Sequence, residues 1–293
     1  MTWDLAPGTR LPRADVHARF GGRPKPRISP SKSSPNVLLF AAPATAAGRF
    51  DGWSGEHVHF GGEGGTDGTD QVLTHGNGTV LRHEAEQRAL RLFRPGDDGT
   101  VEYVGEYRLA RKRPVAHAEA PADPRQPLQV RRTVVFRLTP LDGPPHTLPP
   151  VEATAARLRL RRTEPGIPTG TAPTPGHEAA AKLLRDYELH ARHIHQCDVT
   201  GYRITPADSL TSWHVELLDH TRNEVLATLT TLARPAVWEA LGRLHDQARH
   251  FRPRPRRVLL MPTGPDAGLA ALLRAQKVTA LWPSGPEDFT RTP

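Results

Sequence analysis

Along the first 140 residues the apolar positions recur at short, strand-like spacings, broken by glycine, proline and polar turns. Pro35-Asn36 precedes the unbroken run Val37-Leu38-Leu39-Phe40, the pattern of a short buried strand. His57-Val58-His59-Phe60 alternates as a half-buried strand does, Val101 to Tyr107 alternates throughout, and Thr133 to Leu138 repeats the pattern. One short helix is predicted near Leu81 to Ala89, between strands. Many short strands with glycine-rich connections predict a β-barrel or a strongly bent sheet.

The character changes from Asp142 to Gly176. Pro144, Pro145, Pro149, Pro150, Pro165, Pro168, Pro173 and Pro175 fall here, interrupted by the basic stretch Arg157 to Arg162. Too little apolar surface is present to fold alone, so 142–176 reads as a stiff linker between domains spanning 1–141 and 177–293. Beyond it, helix and strand alternate. Ala180, Leu183, Leu184 and Tyr187 form one stripe of a helix over Glu178 to His193. Trp213 to Leu218 reads as a strand, His220 to Asn223 as a turn, and Val225 to Leu232 as the returning strand. Pro235 suits the first turn of a helix reaching about Phe251, where its missing N–H costs little. Arg257 to Met261 is a buried strand, Asp266 to Gln276 a helix and Val278 to Trp282 a last strand. The expectation is an α+β protein of two domains, a bent barrel followed by a mixed α/β domain, without internal repeats.

Composition adds a charge argument. The chain of 293 residues carries a formal net charge of +8, and nearly all its basic residues are arginine: the lysines are Lys25, Lys32, Lys112, Lys182 and Lys277. Arginine suits bidentate phosphate and guanine contacts, which points to a polyanionic partner. A genome rich in G and C would produce the same bias, so the charge does not decide the matter. No apolar run approaches the roughly 18 residues of a membrane span. The opening MTWDLAPGTRLPR lacks the apolar stretch of a secretory signal. The lone Cys197 excludes a disulfide framework. A cytoplasmic protein without membrane partners is therefore expected.

The most informative stretch runs from Arg49-Phe50-Asp51-Gly52-Trp53 through His57-Val58-His59-Phe60-Gly61-Gly62-Glu63-Gly64-Gly65 to Asp70-Gln71-Val72-Leu73-Thr74-His75-Gly76-Asn77. It lacks the lysine of a phosphate-binding loop and the βαβ surroundings of a dinucleotide fingerprint. What remains is a loop and strand end with two aromatics, one acid, and glycines that permit close backbone approach.

Here the sequence resembles the SRA, or YDG, domain of bacterial modification-dependent restriction proteins of the type IV kind, over roughly residues 13 to 140. The resemblance rests on Asp15-Val16-His17-Ala18-Arg19-Phe20-Gly21-Gly22, Phe50-Asp51-Gly52-Trp53, His59-Phe60-Gly61-Gly62-Glu63-Gly64, Asp70-Gln71-Val72-Leu73-Thr74 and Asn77. It implies a reader of modified cytosine in double-stranded DNA, which extrudes one nucleotide and holds the base between two aromatic rings. Phe50 and Phe60 match the rings, Asp51 the acid facing the N4 amino group, and Gly61 a place where the family often has threonine. Trp53 reads as a packing residue beside the pocket, and Gln71 and Asn77 as DNA-binding positions. The alternative is that Phe50 and Phe60 are core aromatics and Asp51-Gly52 a tight turn. His17, Arg19, Arg23, Lys25, Arg27 and Lys32 occupy a basic, Gly/Pro-rich segment that either lines the DNA backbone or is a solvated loop.

The second half resembles the PD-(D/E)xK restriction-endonuclease fold. Val215-Glu216-Leu217-Leu218-Asp219-His220-Thr221-Arg222-Asn223 and Ala240-Leu241-Gly242-Arg243-Leu244 carry that likeness. The family's Glu-x-Lys is replaced by Ala227-Thr228-Leu229, Glu216 stands for the aspartate, and Arg243 replaces a glutamine. One carboxylate holds Mg²⁺ poorly, so the expectation is a pseudo-nuclease with no cofactor and Glu216 as a remnant. An active endonuclease using Mg²⁺ would need two of Asp198, Asp208, Glu216, Asp219 and Glu224 to converge. His190, His193, His195 and Cys197 match no strong zinc spacing, so no metal is expected there either. The resulting expectation is a DNA-binding protein acting in defence against modified DNA. A separate nuclease or helicase subunit and a homodimer stay open as partners, and a regulatory or assembly role stays open as a rival.

Overall fold

The computed structural model describes residues 2–42, 50–65, 67–96, 99–121, 130–141, 148, 158–167, 175–285 and 288–292. Two compact units are present: Met1–Arg157 with Ala207–Thr211, and Leu158–Pro206 with Ser212–Pro293. Among the described residues no helix is long and apolar enough to cross a membrane.

The first unit contains β1 (Arg10–Pro12), α1 (Arg13–Phe20), β2 (Ile28–Pro30), β3 (Asn36–Phe40), β4 (Gly52–Ser54), β5 (His57–Gly61), α2 (His75–Arg82), β6 (Ala89–Pro95), β7 (Thr100–Leu109), β8 (Val115–Pro121) and β9 (Val130–Pro140). Its sheet runs β2-β3-β6-β7-β9-β5-β4, with β1 added to β7 and β8 to β9. The long β9 carries β5 along one edge and β8, then β7, along the other. Its alternation decides which side chains meet. Val134 and Phe136 join Phe60, Val58, Leu90 and Leu92 in one cluster, whereas Val135 joins Ala116 and Ala118 in another. Full burial of each large apolar side chain contributes about 1.5–3 kcal/mol.

The strand expectations over Val37–Phe40, His57–Phe60, Val101–Tyr107 and Thr133–Leu138 all fall within observed strands. The helix expected near Leu81 to Ala89 lies earlier, at His75–Arg82, and Ala89 opens β6. Gly76, Asn77 and Gly78 disguised it as a loop, because those residues favour turns. The anticipated barrel is an open ladder among the described residues. Its two terminal strands, β2 and β4, are joined by side chains: Arg27 just before β2 pairs with Asp51 just before β4.

The second unit contains β10 (Arg159–Thr163), α3 (Pro175–His193), β11 (Val199–Thr205), β12 (Trp213–Asp219), β13 (Glu224–Thr228), α4 (Arg234–Ala248), β14 (Arg256–Leu260), α5 (Ala267–Ala275), β15 (Val278–Pro283) and β16 (Phe289–Arg291). The sheet order follows the chain from β10 to β16. β13, β14 and β15 are parallel and the remaining neighbours antiparallel. Val237, Leu241 and Leu244 of α4 and Leu269 and Leu273 of α5 pack into one cluster, and Leu184, Tyr187 and Ala191 of α3 into another. Asp266 caps α5 by accepting the Leu269 N–H at 2.7 Å.

The linker expectation needs correction. Arg159–Thr163, inside the segment read as linker, pairs antiparallel with Gly201–Thr205. A sheet edge supplied the partner that five mostly exposed residues could not find locally. Most of the remaining proline-rich segment lies outside the described residues.

Candidate nucleic-acid interface

Asp51 is a buried carboxylate of the first unit, 6% exposed. Its Oδ1 accepts the Gly61 N–H at 2.6 Å, and its Oδ2 accepts the Ala42 N–H at 2.7 Å and a bond from the Arg27 guanidinium. Burial pushes the Asp51 carboxyl up, against the pull of Arg27 and the two backbone N–H groups. Arg27 also donates from Nε to the Phe40 carbonyl at 3.2 Å, and its Cζ lies 4.9 Å from the Phe60 ring centroid. A Cβ on Gly61 would lie 3.2 Å from Asp51 Oδ1 and 3.6 Å from Arg27 Nη1, so glycine there leaves room for the pair.

Asp51, Phe60 and Gly61 are therefore brought together, but the two expected rings are not. Phe60 is fully buried opposite Phe136. Phe50 packs against the cluster of Ala116, Ala118 and Val135, on which Leu210 also packs. The rings belong to different clusters because neighbouring residues of β9 point to opposite faces. Trp53 packs against the Phe60 cluster.

Gln71 and Asn77 also differ from expectation. Gln71 Oε1 accepts the Val134 N–H at 2.9 Å, and its Nε2 donates to the Gly62 carbonyl at 3.0 Å. Asn77, 2% exposed, accepts the Glu63 N–H and donates to the Glu63 and Val72 carbonyls. These amides hold the glycine-rich loop against β9 and α2. In the fold both amides are engaged with the backbone, Asn77 buried and Gln71 half-buried. Arg27, expected on the DNA backbone, is likewise drawn inward by Asp51. Arg23, Lys25 and Lys32 are exposed, and Arg19 is exposed but paired with Asp4 at 2.5 Å.

Glu63 and His59 were given no role from the sequence, and Asp208 was read only as a candidate acid of the second half. Glu63 accepts the Ile28 N–H at 3.0 Å, and an acid set among glycines in Gly61–Gly65 was the available signal. His59, 2% exposed on β5, has its Nδ1 without a partner among the described residues, and burial lowers its pKa to about 4. Asp208 pairs with Arg113 and with the nearly buried Arg137, and Leu210 N–H donates to the His117 carbonyl. No local pattern forecasts that pairing, since Asp208 lies far along the chain.

In the second unit Glu216, 3% exposed, accepts the Thr228 N–H at 2.6 Å and pairs with Arg243 at 3.0 Å. The β11–β12 register shifts between Thr200 and Tyr202, so Glu216 sits at a bulge, a device that re-aims side chains. Burial pushes the Glu216 carboxyl up, offset by Arg243. Ala227 and Leu229 lie in the hydrophobic cluster with α4 and α5. Three of the other candidate acids are engaged elsewhere. Asp219 accepts the Arg222 N–H, Glu224 pairs with Arg256 and Arg291, and Asp208 belongs to the first unit. A single carboxylate already bound to a guanidinium does not fit a Mg²⁺ ion. His190 and His195 meet through their Nε2 atoms at 3.1 Å, and burial raises the Cys197 thiol to about 11. Among the described residues, no group of three or more His, Cys, Asp or Glu side chains is placed to hold a metal.

No curated protein matches the chain. The solved sulfur binding domain and SRA domain of ScoMcrA, complexed with phosphorothioated DNA, is 21% identical over 50% of this chain and 43% of that one, with a TM-score of 0.36. The type IV phosphorothioation-dependent restriction endonuclease ScoMcrA gives 21% identity, 50% and 27% coverage and a TM-score of 0.36. The SUVH5 SRA complex with hemi-methylated CG DNA gives 14%, 50%, 95% and 0.34. The chain thus spans less than half the length of either ScoMcrA structure. The model of the ScoMcrA-like SRA domain matches residues 7–160, more than half of the chain, covering β1 to β9 with the Asp51 site, and the chain belongs to that family.

Proposed function

We propose that the chain is a DNA-binding protein whose first unit reads a modified base, a cytosine derivative, by extruding it from the duplex. The observation that carries this reading is Asp51: a buried carboxylate at the seam between the terminal strands, with Phe60 and the small Gly61 beside it. A carboxylate accepts from an exocyclic amino group, and an aromatic face returns about 1–3 kcal/mol per stacked base. Flipping costs a few kcal/mol of stacking and pairing, which stacking and hydrogen bonding together can offset. Phe60 is the stacking platform in this reading, and the exposed Arg23, Lys25 and Lys32 meet phosphates. The second unit is a nuclease-like domain that does not cleave. Ala227 and Leu229 serve its core, and Arg243 neutralises Glu216. Restriction of modified foreign DNA then needs a separate nuclease.

The test measures binding of matched plain, 5-methylcytosine, 5-hydroxymethylcytosine and phosphorothioate duplexes by fluorescence anisotropy. Selectivity for one cytosine derivative, abolished in Asp51→Asn, is expected. Equal affinity for all four would favour a regulatory or assembly role, which the internal bonding of Asp51 also suits. Nicking with Mg²⁺ or Mn²⁺ that is lost in Glu216→Gln would overturn the non-cleaving assignment.

A further inference from the structure

Arg27 does more at the Asp51 site than balance charge. Its guanidinium is flat, carries in-plane N–H donors, faces the Phe60 ring at 4.9 Å and donates to Asp51 Oδ2. That is the geometry a flat, amino-bearing base would need at the same place. We propose that Arg27 is a built-in occupant of this site, a stand-in for the nucleobase that must swing out before the base can enter; this rests on the reading of Asp51 as a base contact.

Three observations support it. Asp51 takes two of its bonds from the backbone N–H groups of Gly61 and Ala42, which are fixed by the fold, so only the Arg27 bond can be exchanged for another donor. The Arg27 side chain is 25% exposed and that of Asp51 3%, so Arg27 is the solvent-facing member of the pair. Third, Arg27 ends a loop whose Arg23 and Lys25 are exposed, and a long side chain released there reaches the same solvent. Glycine at 61 spares the Asp51 carboxylate, since a Cβ there would stand 3.2 Å from its Oδ1.

The experiment uses the full chain, its Arg27→Gln and Arg27→Lys variants, and duplexes with one central cytosine, 5-methylcytosine or 5-hydroxymethylcytosine beside 2-aminopurine, whose fluorescence reports unstacking. Losing a charge-assisted competitor should tighten binding of the preferred modified duplex about tenfold in Arg27→Gln and raise the 2-aminopurine signal. The plain duplex should bind no tighter. Arg27→Lys keeps the counter-charge but not the flat stack, so it should gain several-fold, and it carries the test if thermal unfolding shows Arg27→Gln misfolded. Equal weakening for modified and plain duplexes, or no change in either, would overturn the occupant. Absence of both selectivity and fluorescence change in the wild-type chain would instead sink the base-contact reading beneath it.

Discussion

Acid should loosen the first unit through one histidine. His59 is 2% exposed on β5, next to Phe60, and burial, then the charge of Arg137 and the neighbouring His57, lower its pKa from 6.5 to about 4. The folded value lies below the unfolded one, so the unfolded chain binds the proton more readily. The stabilisation is complete above about pH 6.5 and is lost as pH falls towards 4. At about 1.36 kcal/mol per pH unit, the gap is worth about 3.4 kcal/mol in full and about 2 kcal/mol by pH 5. Hydrogen exchange read by mass spectrometry on the β5 and β9 peptides, at pH 8, 6.5 and 5 after correction for intrinsic rates, isolates this unit from the rest of the chain. Wild type should lose about 2 kcal/mol more protection than His59→Gln between pH 8 and pH 5. Parallel pH profiles for the two proteins, or an imidazole that titrates near 6.5 by NMR, would refute the argument. His17 and His117 are lowered by burial too and share the sign, which is why the difference between the two proteins is the quantity read.

Other perturbations follow from the same contacts. Asn77→Ala removes the side chain that bonds Glu63 and Val72, so it should cost about 1–3 kcal/mol and raise exchange across residues 62–74. Arg243→Ala leaves Glu216 buried without its counter-ion. Because Arg243 is 37% exposed, water softens the loss to about 2–3 kcal/mol, seen as a lower Tm. The raised Glu216 carboxyl makes that loss larger at pH 8 than at pH 5, and added Mg²⁺ should not restore it. Asp208→Ala removes the carboxylate that pairs with Arg113 and the nearly buried Arg137, so it should cost about 1–3 kcal/mol, with faster exchange in β8 and β9 as the readout.

Local pattern was a good guide wherever one residue's neighbours in sequence decided its fate. The run Val37–Phe40 became β3 because four consecutive apolar residues suit a strand covered on both sides. Pro235 and Asp266 marked helix starts for reasons confined to one turn. The pattern misled where distant partners intervened. Arg159–Thr163 looked like linker until β11 supplied an edge. Arg27, Gln71 and Asn77, read from sequence as DNA-binding positions, are engaged within the fold by Asp51, Val134 and Glu63.

Read alone, the chain already specified its strand-rich first half, its α/β second half, and the residues Asp51, Phe60 and Gly61 that a base reader would use. The two halves follow from periodicity, a property of neighbours along the chain, whereas the three residues are what the resemblance to the SRA family implies. Tertiary structure alone decided that Phe50 and Phe60 part company across β9, that Arg27 lies on Phe60 against Asp51, and that Arg243 meets Glu216. The reason is physical: a buried charge must find an opposite charge or a donor, and which one it finds depends on how the sheets bend, not on what stands beside it in sequence.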